Sequence, residues 1–509
     1  MTIMNHKSSD RNEKNIIFLS LALLAVWSVI SFLCTTDIFL FPATDDRRFT
    51  LAVSDYIICR IIAAVAMFFV SYATLRMILS RQNDGSKIPG TVKYGLFSLP
   101  VIIAVAFVKL PAGYLSNDEL AIVNDAVNLI HDTWFTYLTV YYYIVSFMLI
   151  PVKYGPIFVK LVIEVLVAGY VVSRFCRHYG KRAGLTAYLL FLLYPVIAYT
   201  TSAHRLPIYF LLYLFLFVKL MFDRLEKMPI TRLKLLSVLL LGAVLTQWRT
   251  EGIYLFVLVP ILLFMVYPDL RNKKSATALI ASYIAIQLIV SIPQNFITGE
   301  ALSGQANDRM KPFYAYTITN MMRNGLDRSK NAEDLEIIDR YISIESMDRI
   351  SEHFGDINYE DVLILFKDEF TGVRPEAGYT EYYDFSEAVR RIFMNNPDVF
   401  IRTRWNAFCY AAVPYPFSFS LSGLKSLAYN LFIPASVVLA VFTYSLIRRR
   451  WFDFFVSGGL ICHWFIVFIL APASYFKYYF PVYIMAYLYV IKILAGFIHN
   501  KLSSPEAAS

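Results

Sequence analysis

The chain has 509 residues, of which 58% are hydrophobic and 17% charged, and its mean hydropathy is +0.53. In soluble domains about a quarter of the residues are charged, so this composition excludes an ordinary soluble fold. The net charge is +9, but the basic residues cluster in short loops between apolar runs. That pattern is typical of membrane topology and argues against nucleic-acid binding.

Repeated apolar runs of about 17–25 residues, the length needed to cross a bilayer, predict an all-α polytopic membrane protein with about 12 transmembrane helices. The predicted spans lie near residues 16–34, 54–79, 95–112, 157–175, 184–200, 207–222, 234–248, 252–267, 276–293, 427–446, 452–471 and 478–497.

One further apolar run, 137–150, is predicted not to cross the membrane. Basic loops are expected on the cytoplasmic side, and they occur here at 174–182, 224–234, 271–274 and 448–450. If 137–150 crossed, all of these loops would lie outside. The run is therefore expected to be an in-plane helix, interfacial or re-entrant, within one external loop at 113–156.

The longest polar segment, 294–424, is predicted to be a mainly helical external insert. It carries 13 Lys and Arg against 20 Asp and Glu, a balance of −7, which leaves +16 for the remainder. A helix is predicted at 333–350, with Asn331 as its N-cap.

The predicted topology divides the chain into four segments. They are an N-terminal two-span hairpin with a cytoplasmic tail at 1–93, a transmembrane core at 94–293, the acidic insert at 294–424, and a three-span segment with a cytoplasmic tail at 425–509.

Ionisable residues collect at the predicted outer side. Asp118 and Glu119 lie in the stretch PAGYLSNDEL, and an acid at the mouth of a membrane helix is a candidate functional residue. A carboxylate can act as a general base on a hydroxyl, and Arg and Lys can hold a phosphate. The other candidates on this side are His204, Arg205, Arg249, Glu251 and Lys477.

Several common sites have no signature in the sequence. The chain contains no GxxxxGK[ST], HExxH or GxSxG motif, so nothing points to nucleotide hydrolysis, a zinc protease or a hydrolase elbow. The five cysteines show no CxxC spacing. Neither a metal site nor a cofactor is expected.

The order of these segments resembles the GT-C superfamily of integral membrane glycosyltransferases, which use polyprenyl-phosphate-linked sugars. The resemblance is carried by NDEL (117–120), the run 137–150, and the segments SRFCRHYGKRAG, YPVIAYTTSAHR, WRTEGIY and APASYFKYYFPVYI. It covers about residues 95–300 and 425–497, and the first two spans precede it. Within the superfamily the chain is similar to a bacterial branch that decorates cell-surface polysaccharide, O-antigen or teichoic acid.

The resemblance implies an enzyme of the cytoplasmic (inner) membrane whose active site faces the extracytoplasmic side. Asp118, or Glu119 as second choice, would deprotonate the acceptor hydroxyl, while Arg249 and Lys477 would stabilise the departing polyprenyl phosphate. Tyr141, in a tyrosine-rich wall, would flank the lipid or a sugar ring. The implied partners are the lipid-linked donor, a glycan or lipid-linked acceptor, the bilayer, and a polyprenyl-phosphate-sugar synthase and flippase of the same pathway.

Two other functions stay open at this point. One is an O-antigen-type polymerase or ligase, whose large loop usually presents arginines and a histidine, whereas the largest loop here is acidic. The other is a flippase or transporter for lipid-linked sugars, which needs ionisable residues near the middle of the membrane. Within the predicted spans, Glu164 is the main residue of that kind.

Overall fold

The computed structural model describes residues 2–36, 46–84, 88–109, 117–130, 135–202, 204–302, 310–354, 365, 372–374, 377–413, 421–471 and 474–503. Within these residues the chain is helical and has no β-strand, apart from one isolated bridge between Ile342 and Val373. The prediction of an all-α protein is confirmed.

The chain divides into two compact units. The first contains residues 1–249, 263–287 and 488–509, and the second contains 250–262 and 288–487. The fourfold division made from the sequence stays a prediction.

The helices, in chain order, begin with those of the first unit. These are α1 (Thr2–Thr36), α2 (Asp46–Asp84), α3 (Gly90–Lys109), α4 (Asn117–Asn128), α5 (Tyr137–Leu149), α6 (Gly155–Tyr179), α7 (Lys181–Gly184), α8 (Tyr194–Thr200), α9 (Leu206–Leu225) and α10 (Arg232–Trp248). Helices α11 (Leu255–Val266) and α12 (Lys273–Leu302) contribute residues to both units. The second unit continues with α13 (Lys311–Arg323), α14 (Ala332–Asp339), α15 (Ile344–Phe354), α16 (Tyr379–Asn395), α17 (Pro397–Ala412), α18 (Leu421–Ala428), α19 (Phe432–Ile447) and α20 (Trp451–Leu470). The last helix, α21 (Phe480–Ser503), again divides between the two units.

Eight helical segments of the described chain are long and apolar enough to cross a membrane, which identifies a multi-pass membrane protein. They are Glu13–Cys34, Ser54–Leu79, Gly155–Tyr179, Leu206–Leu225, Lys273–Asn295, Lys425–Ile447, Trp451–Leu470 and Phe476–Ser503, and each coincides with a predicted span. The predicted span at 184–200 is a helix pair, Lys181–Leu190 and Tyr194–Thr200, bent by 63°.

The other three predicted spans coincide with shorter helices. Helix α10 has 17 residues, and the apolar parts of the other two are Gly90–Ala104 and Thr250–Val266. Both α3 and α11 contain an internal proline. Twelve transmembrane helices therefore stay a prediction, and the structure itself supports eight, or nine with the bent pair.

Helices α3 and α6 pack with their backbones in close contact because glycines line the interface. A Cβ added at Gly169 would lie 2.0 Å from the Thr91 carbonyl oxygen, and one added at Gly95 would lie 2.9 Å from the Val165 oxygen. Small residues allow this approach between membrane helices. Because Gly95 is opposite Val165 and Gly90 is opposite Ser173, the two helices are antiparallel.

Helices α6 and α9 run in the same direction. Near their starts, the Lys160 ammonium contacts the backbone carbonyl of His204. Near their ends, Arg174 donates to Asp223 at 2.7 Å. The bent segment 181–200 returns the chain between them. The start of α6 therefore lies at the same end of the unit as the end of α3.

Asp223 is the centre of a polar cluster at the opposite end of the same helices. Its carboxylate accepts hydrogen bonds from Arg174, from Lys219 and from the Tyr267 hydroxyl, the last at 2.7 Å.

Helix α5 is buried against α1 and α2. Its Tyr141 hydroxyl donates to Asp55 at 2.6 Å, and its Met148 carbonyl accepts from Ser31 at 2.6 Å. Ser31 in turn accepts from Arg60, five residues beyond Asp55 on α2. Helix α5 thus follows α2 in the same direction. Its interfacial or re-entrant placement stays a prediction.

Helices α13 to α17 enclose a separate apolar core in the second unit. Its fully buried members include Ile318, Met321, Phe385, Val389 and Ile392. A helical insert was predicted here, and its helical content is confirmed for the described residues.

The single helix predicted at 333–350 is wrong. The chain forms α14 and α15 with a break between them, because Ser343 donates its N–H to the Gly372 carbonyl at 2.7 Å and the Ile344 N–H is bound by Asp339. Asn331 occupies the predicted N-cap position, but its side chain makes no capping bond. Its amide instead donates to the Asp327 carbonyl and pairs with Asn396.

Candidate active site

A buried acid and an imidazole form the centre of the candidate site. Glu119, the third residue of α4, is 2% exposed, and its Oε1 lies 3.2 Å from Nε2 of His204. The Leu206 N–H donates to Nδ1 of the same imidazole at 3.1 Å. Because Nδ1 is an acceptor, the neutral ring carries its proton on Nε2. Nε2 is the ring nitrogen that contacts the Glu119 carboxylate.

Lys160 holds the turn that carries His204. Its side chain, 1% exposed, donates to the carbonyl oxygens of Ser202, His204 (3.1 Å) and Tyr199 (3.4 Å). Tyr199 lies in the last turn of α8 and the other two residues follow it, at the end where a helix leaves its last carbonyls unsatisfied and favours a cation. The ammonium also interacts electrostatically with Glu119. Lys160 therefore fixes both members of the acid–imidazole pair.

Two arginines lie on either side of the start of α5. The Arg205 guanidinium carbon lies 4.5 Å from the centre of the Phe135 ring. The next residue, Thr136, donates through its hydroxyl to the Trp248 carbonyl at 3.2 Å, and Arg249 follows directly. The fold thus brings Arg205 and Arg249 together, although 43 residues of sequence separate them.

Four of the predicted site residues consequently share one end of the first unit. Glu119 and His204 are in direct contact, and Arg205 and Arg249 adjoin the start of α5. Tyr141 belongs to α5 as well, but it is 7% exposed and its hydroxyl donates to Asp55. The contacts of its phenol therefore join α5 to α2.

The remaining candidates are placed as follows. Asp118 is the second residue of α4, and its side chain lies outside the described part of the structure. Glu251 and Lys477 belong to the second unit. The Glu251 carboxylate accepts from the Thr250 hydroxyl at 3.3 Å, and the Lys477 ammonium lies 4.7 Å from the centre of the Tyr475 ring.

Lys160 is the functional candidate that sequence reasoning missed. It occurs in the apolar run GPIFVKLVIEVL, four residues before Glu164, so both side chains lie on one face of α6. That spacing was the available signal, because a lysine inside a membrane helix needs a polar partner.

Arg404 was missed in the second unit. It is 2% exposed within α17, donates to the carbonyls of Phe468 (2.6 Å) and Ala471 (2.8 Å), and stacks on Phe313. Burial lowers the pKa of this guanidinium. Phe468 lies in the last turn of α20 and Ala471 directly follows it, so Arg404 joins α17 to the end of that helix.

Among the described side chains, no cluster of three or more His, Cys, Asp or Glu could hold a metal ion. No protein-family model, curated protein or solved structure matches the sequence. The resemblance to the GT-C superfamily thus rests on the sequence segments that carry it, and the fold and contacts above stand on their own.

Proposed function

We propose that the chain is a membrane glycosyltransferase that transfers a sugar from a polyprenyl-phosphate donor to a cell-surface glycan or lipid-linked acceptor. The reaction takes place at the outer face of the cytoplasmic membrane. The supporting observation is the gathering of Glu119, His204, Arg205 and Arg249 at one end of the first unit. One acid and three basic side chains, spread over more than 100 residues of sequence from Glu119 to Arg249, thus meet in one place.

The orientation of this end supports an outer-face site. The end of α3 and the start of α6 share it, so the loop at 113–156 begins and ends on one side. The opposite ends of α6 and α9 carry Arg174, Arg177 and Arg224, and basic residues favour the cytoplasm. The site then faces outward, with the active-site loop external and α5 re-entrant. Twelve crossings complete the topology.

In this proposal the two adjacent acids have different roles. Glu119 is buried and held by His204, so it is a positioning residue that orders the start of α4. Asp118 acts as the general base and takes the proton of the acceptor hydroxyl. The hydroxyl oxygen attacks the anomeric carbon as the bond from that carbon to the phosphate oxygen breaks. Arg205 and Arg249 stabilise the departing polyprenyl phosphate by charge-assisted hydrogen bonds.

The test is a transfer assay with purified protein in liposomes and a panel of radiolabelled polyprenyl-phosphate sugars, with release of the lipid carrier as the readout. Wild type should release carrier. Asp118→Asn should lose about 10²–10⁴-fold in rate, the usual contribution of a general base, and Arg249→Ala about 10²–10³-fold. Glu336→Gln, which removes an exposed carboxylate paired with Arg340, should match wild type.

Two results would contradict the proposal at different levels. Near-normal transfer by Asp118→Asn would remove that residue as the base and leave the enzyme standing. Absence of carrier release by wild type with every donor, in protein that elutes as a single folded species, would end the glycosyltransferase proposal itself.

A second candidate, a flippase for lipid-linked sugars, is favoured by one observation. Lys160 and Glu164 are both buried in α6, a helix long enough to span the membrane, and buried ionisable residues of that kind often serve transport. The same liposomes distinguish the two functions. Movement of labelled lipid between leaflets without release of the carrier is the outcome expected of a flippase.

A further inference from the structure

A cavity of about 210 Å³ lies in the first unit between α3, α6 and the bent segment 181–200. Its walls are mostly apolar: Phe97, Val101, Ile102, Phe191, Leu192 and Ile197. Phe97 and Leu192 are 74% and 50% exposed at its rim. Because all three elements are apolar and α6 is long enough to cross a membrane, we infer that the exposed rim of the cavity faces lipid. It is smaller than drug-sized pockets of roughly 300–1,000 Å³, so it fits a compact group on a single hydrocarbon chain.

The hydroxyl groups that line the cavity already donate hydrogen bonds to backbone carbonyls. Ser98 donates to the Gly95 carbonyl at 2.7 Å, and Thr201 donates to the Ile197 carbonyl at 2.8 Å. Tyr188 donates to a backbone carbonyl of α3 at 2.6 Å. Each hydroxyl has one proton and two acceptor lone pairs. These three groups can therefore only accept a hydrogen bond from an occupant.

The same is true of the remaining polar pair. The Thr200 hydroxyl lies 2.8 Å from the Val196 carbonyl and within hydrogen-bonding reach of the Glu164 carboxyl, so its single proton serves one of these two acceptors. Glu164 is 3% exposed and lines the cavity. The ammonium of Lys160, one turn away, is directed at the carbonyls of 199–204. The polar end of the cavity thus presents acceptors only.

The acid that lines the cavity, Glu164, forms no ion pair within the described part of the chain. The Lys160 ammonium interacts with it electrostatically, but that ammonium is directed at backbone carbonyls and not at the Glu164 carboxyl. An uncompensated charge away from water is unfavourable unless an opposite charge approaches. A cationic donor would satisfy both the charge and the hydrogen-bonding acceptors.

We propose that this cavity binds a membrane-soluble amine, with its ammonium group on Glu164 and the hydroxyls of Thr200 and Thr201 and its hydrocarbon chain between α3 and the bent segment. The inference does not depend on the proposed glycosyl transfer. A neutral alcohol satisfies the acceptors without the charge and binds more weakly. An anion satisfies neither and is excluded.

The test uses three photoreactive probes that share one diazirine-bearing dodecyl chain and differ only in the head group: ammonium, hydroxyl or sulfate. Full-length protein in phosphatidylcholine nanodiscs is labelled over a concentration series, and the labelled peptides are identified by mass spectrometry. The ammonium probe should label residues 97–102 and 191–201 at about tenfold lower concentration than the alcohol, because hydrogen bonds to charged groups are stronger than neutral ones by about 1.4 kcal/mol, or tenfold. The sulfate probe should leave both segments unlabelled.

Three variants, with a fourth in reserve, distinguish the effect of the Glu164 charge from the effect of the cavity shape. Glu164→Gln should lose the preference for ammonium and keep the labelling by alcohol. Leu192→Trp should fill the rim and abolish labelling by both probes. Glu336→Gln, which also removes one carboxylate but at an exposed ion pair, should behave as wild type. Thr201→Val provides a second probe of the polar end if Glu164→Gln does not insert, and it should weaken labelling by both ammonium and alcohol.

Equal labelling of the two segments by all three probes would overturn the proposal, because it would show partition of a hydrocarbon chain without recognition of its head group. An ammonium preference unchanged in Glu164→Gln would overturn it equally, as would labelling by both probes at the wild-type level in Thr201→Val where that variant takes its place.

Discussion

Replacing Lys160 by methionine should destabilise the first unit strongly. The change keeps a long apolar chain but removes the donor to the Ser202 and His204 carbonyls and leaves Glu119 and Glu164 with no facing ammonium. Hydrogen bonds to charged groups contribute about 1.5–3 kcal/mol each. Removing one member of a buried charged group costs about 3–5 kcal/mol. We expect the free energy of unfolding to fall by about 3–5 kcal/mol.

Lys219→Met is the matched control, since it also removes a largely buried lysine from a membrane-crossing helix. Asp223, its partner, keeps the hydrogen bonds from Arg174 and Tyr267, both at 2.7 Å. The loss should therefore stay below about 1.5 kcal/mol, the upper range for one ordinary hydrogen bond. The unfolding equilibrium of both variants is followed by near-ultraviolet circular dichroism in mixed dodecyl maltoside and sodium dodecyl sulfate micelles. Equal losses of unfolding free energy in the two variants, or a loss under about 1 kcal/mol in Lys160→Met, would refute the role given to Lys160.

Three smaller perturbations are also predicted. Gly169→Ala places a Cβ within 2.0 Å of a backbone oxygen and should lower the free energy of unfolding by about 1–3 kcal/mol. Gly458→Ala is the control, because the nearest atom there is a side-chain carbon at 3.5 Å. It should leave the free energy of unfolding unchanged in the same micelles. Tyr141→Phe removes the hydrogen bond to Asp55 and should cost about 1.5–3 kcal/mol, the contribution of a hydrogen bond to a charged group. Hydrogen exchange across α5 should be faster, and unchanged exchange would contradict this. Backbone N–H bonds at the start of α16 lower the pKa of Glu381, so its contribution to stability is present above the unfolded pKa and is lost as pH falls through the folded one. The protection factors of the amides at this helix start, which correct for the intrinsic pH dependence of exchange, should fall on acidification in wild type and should already be low at neutral pH in Glu381→Gln.

The sequence located the membrane helices well because hydrophobic length dominates their signal. The run predicted at 54–79 is the segment Ser54–Leu79 of the structure, and no tertiary contact is needed to find it. The break between α14 and α15 could not be foreseen, because it depends on backbone pairing between Ser343 and Gly372. Local helical propensity is continuous there, and the competing contact is distant in the sequence.

The candidate site was predictable as a set of residues and less so as an arrangement. Asp118 and Glu119 are equivalent in the sequence, and the burial of Glu119 against His204 follows only from the packing of α4 near the end of α8. Lys160 was missed for a different reason. An isolated lysine within an apolar run has no visible partner when its acceptors are backbone carbonyls, which every residue possesses.

Helices α6 and α9 are fastened to each other at two levels about 21 Å apart along α6, at Lys160 and at Arg174, as the rise per residue requires. Sliding one helix past the other by a single turn, about 5.4 Å, would break both attachments at once. The two helices therefore move together as one rigid body. Any rearrangement that admits a bulky lipid-linked molecule has to be a movement of the surrounding segments relative to α6 and α9. A conformational probe attached to α4 or α5 should report that movement, while the signal of a probe on α9 should not change.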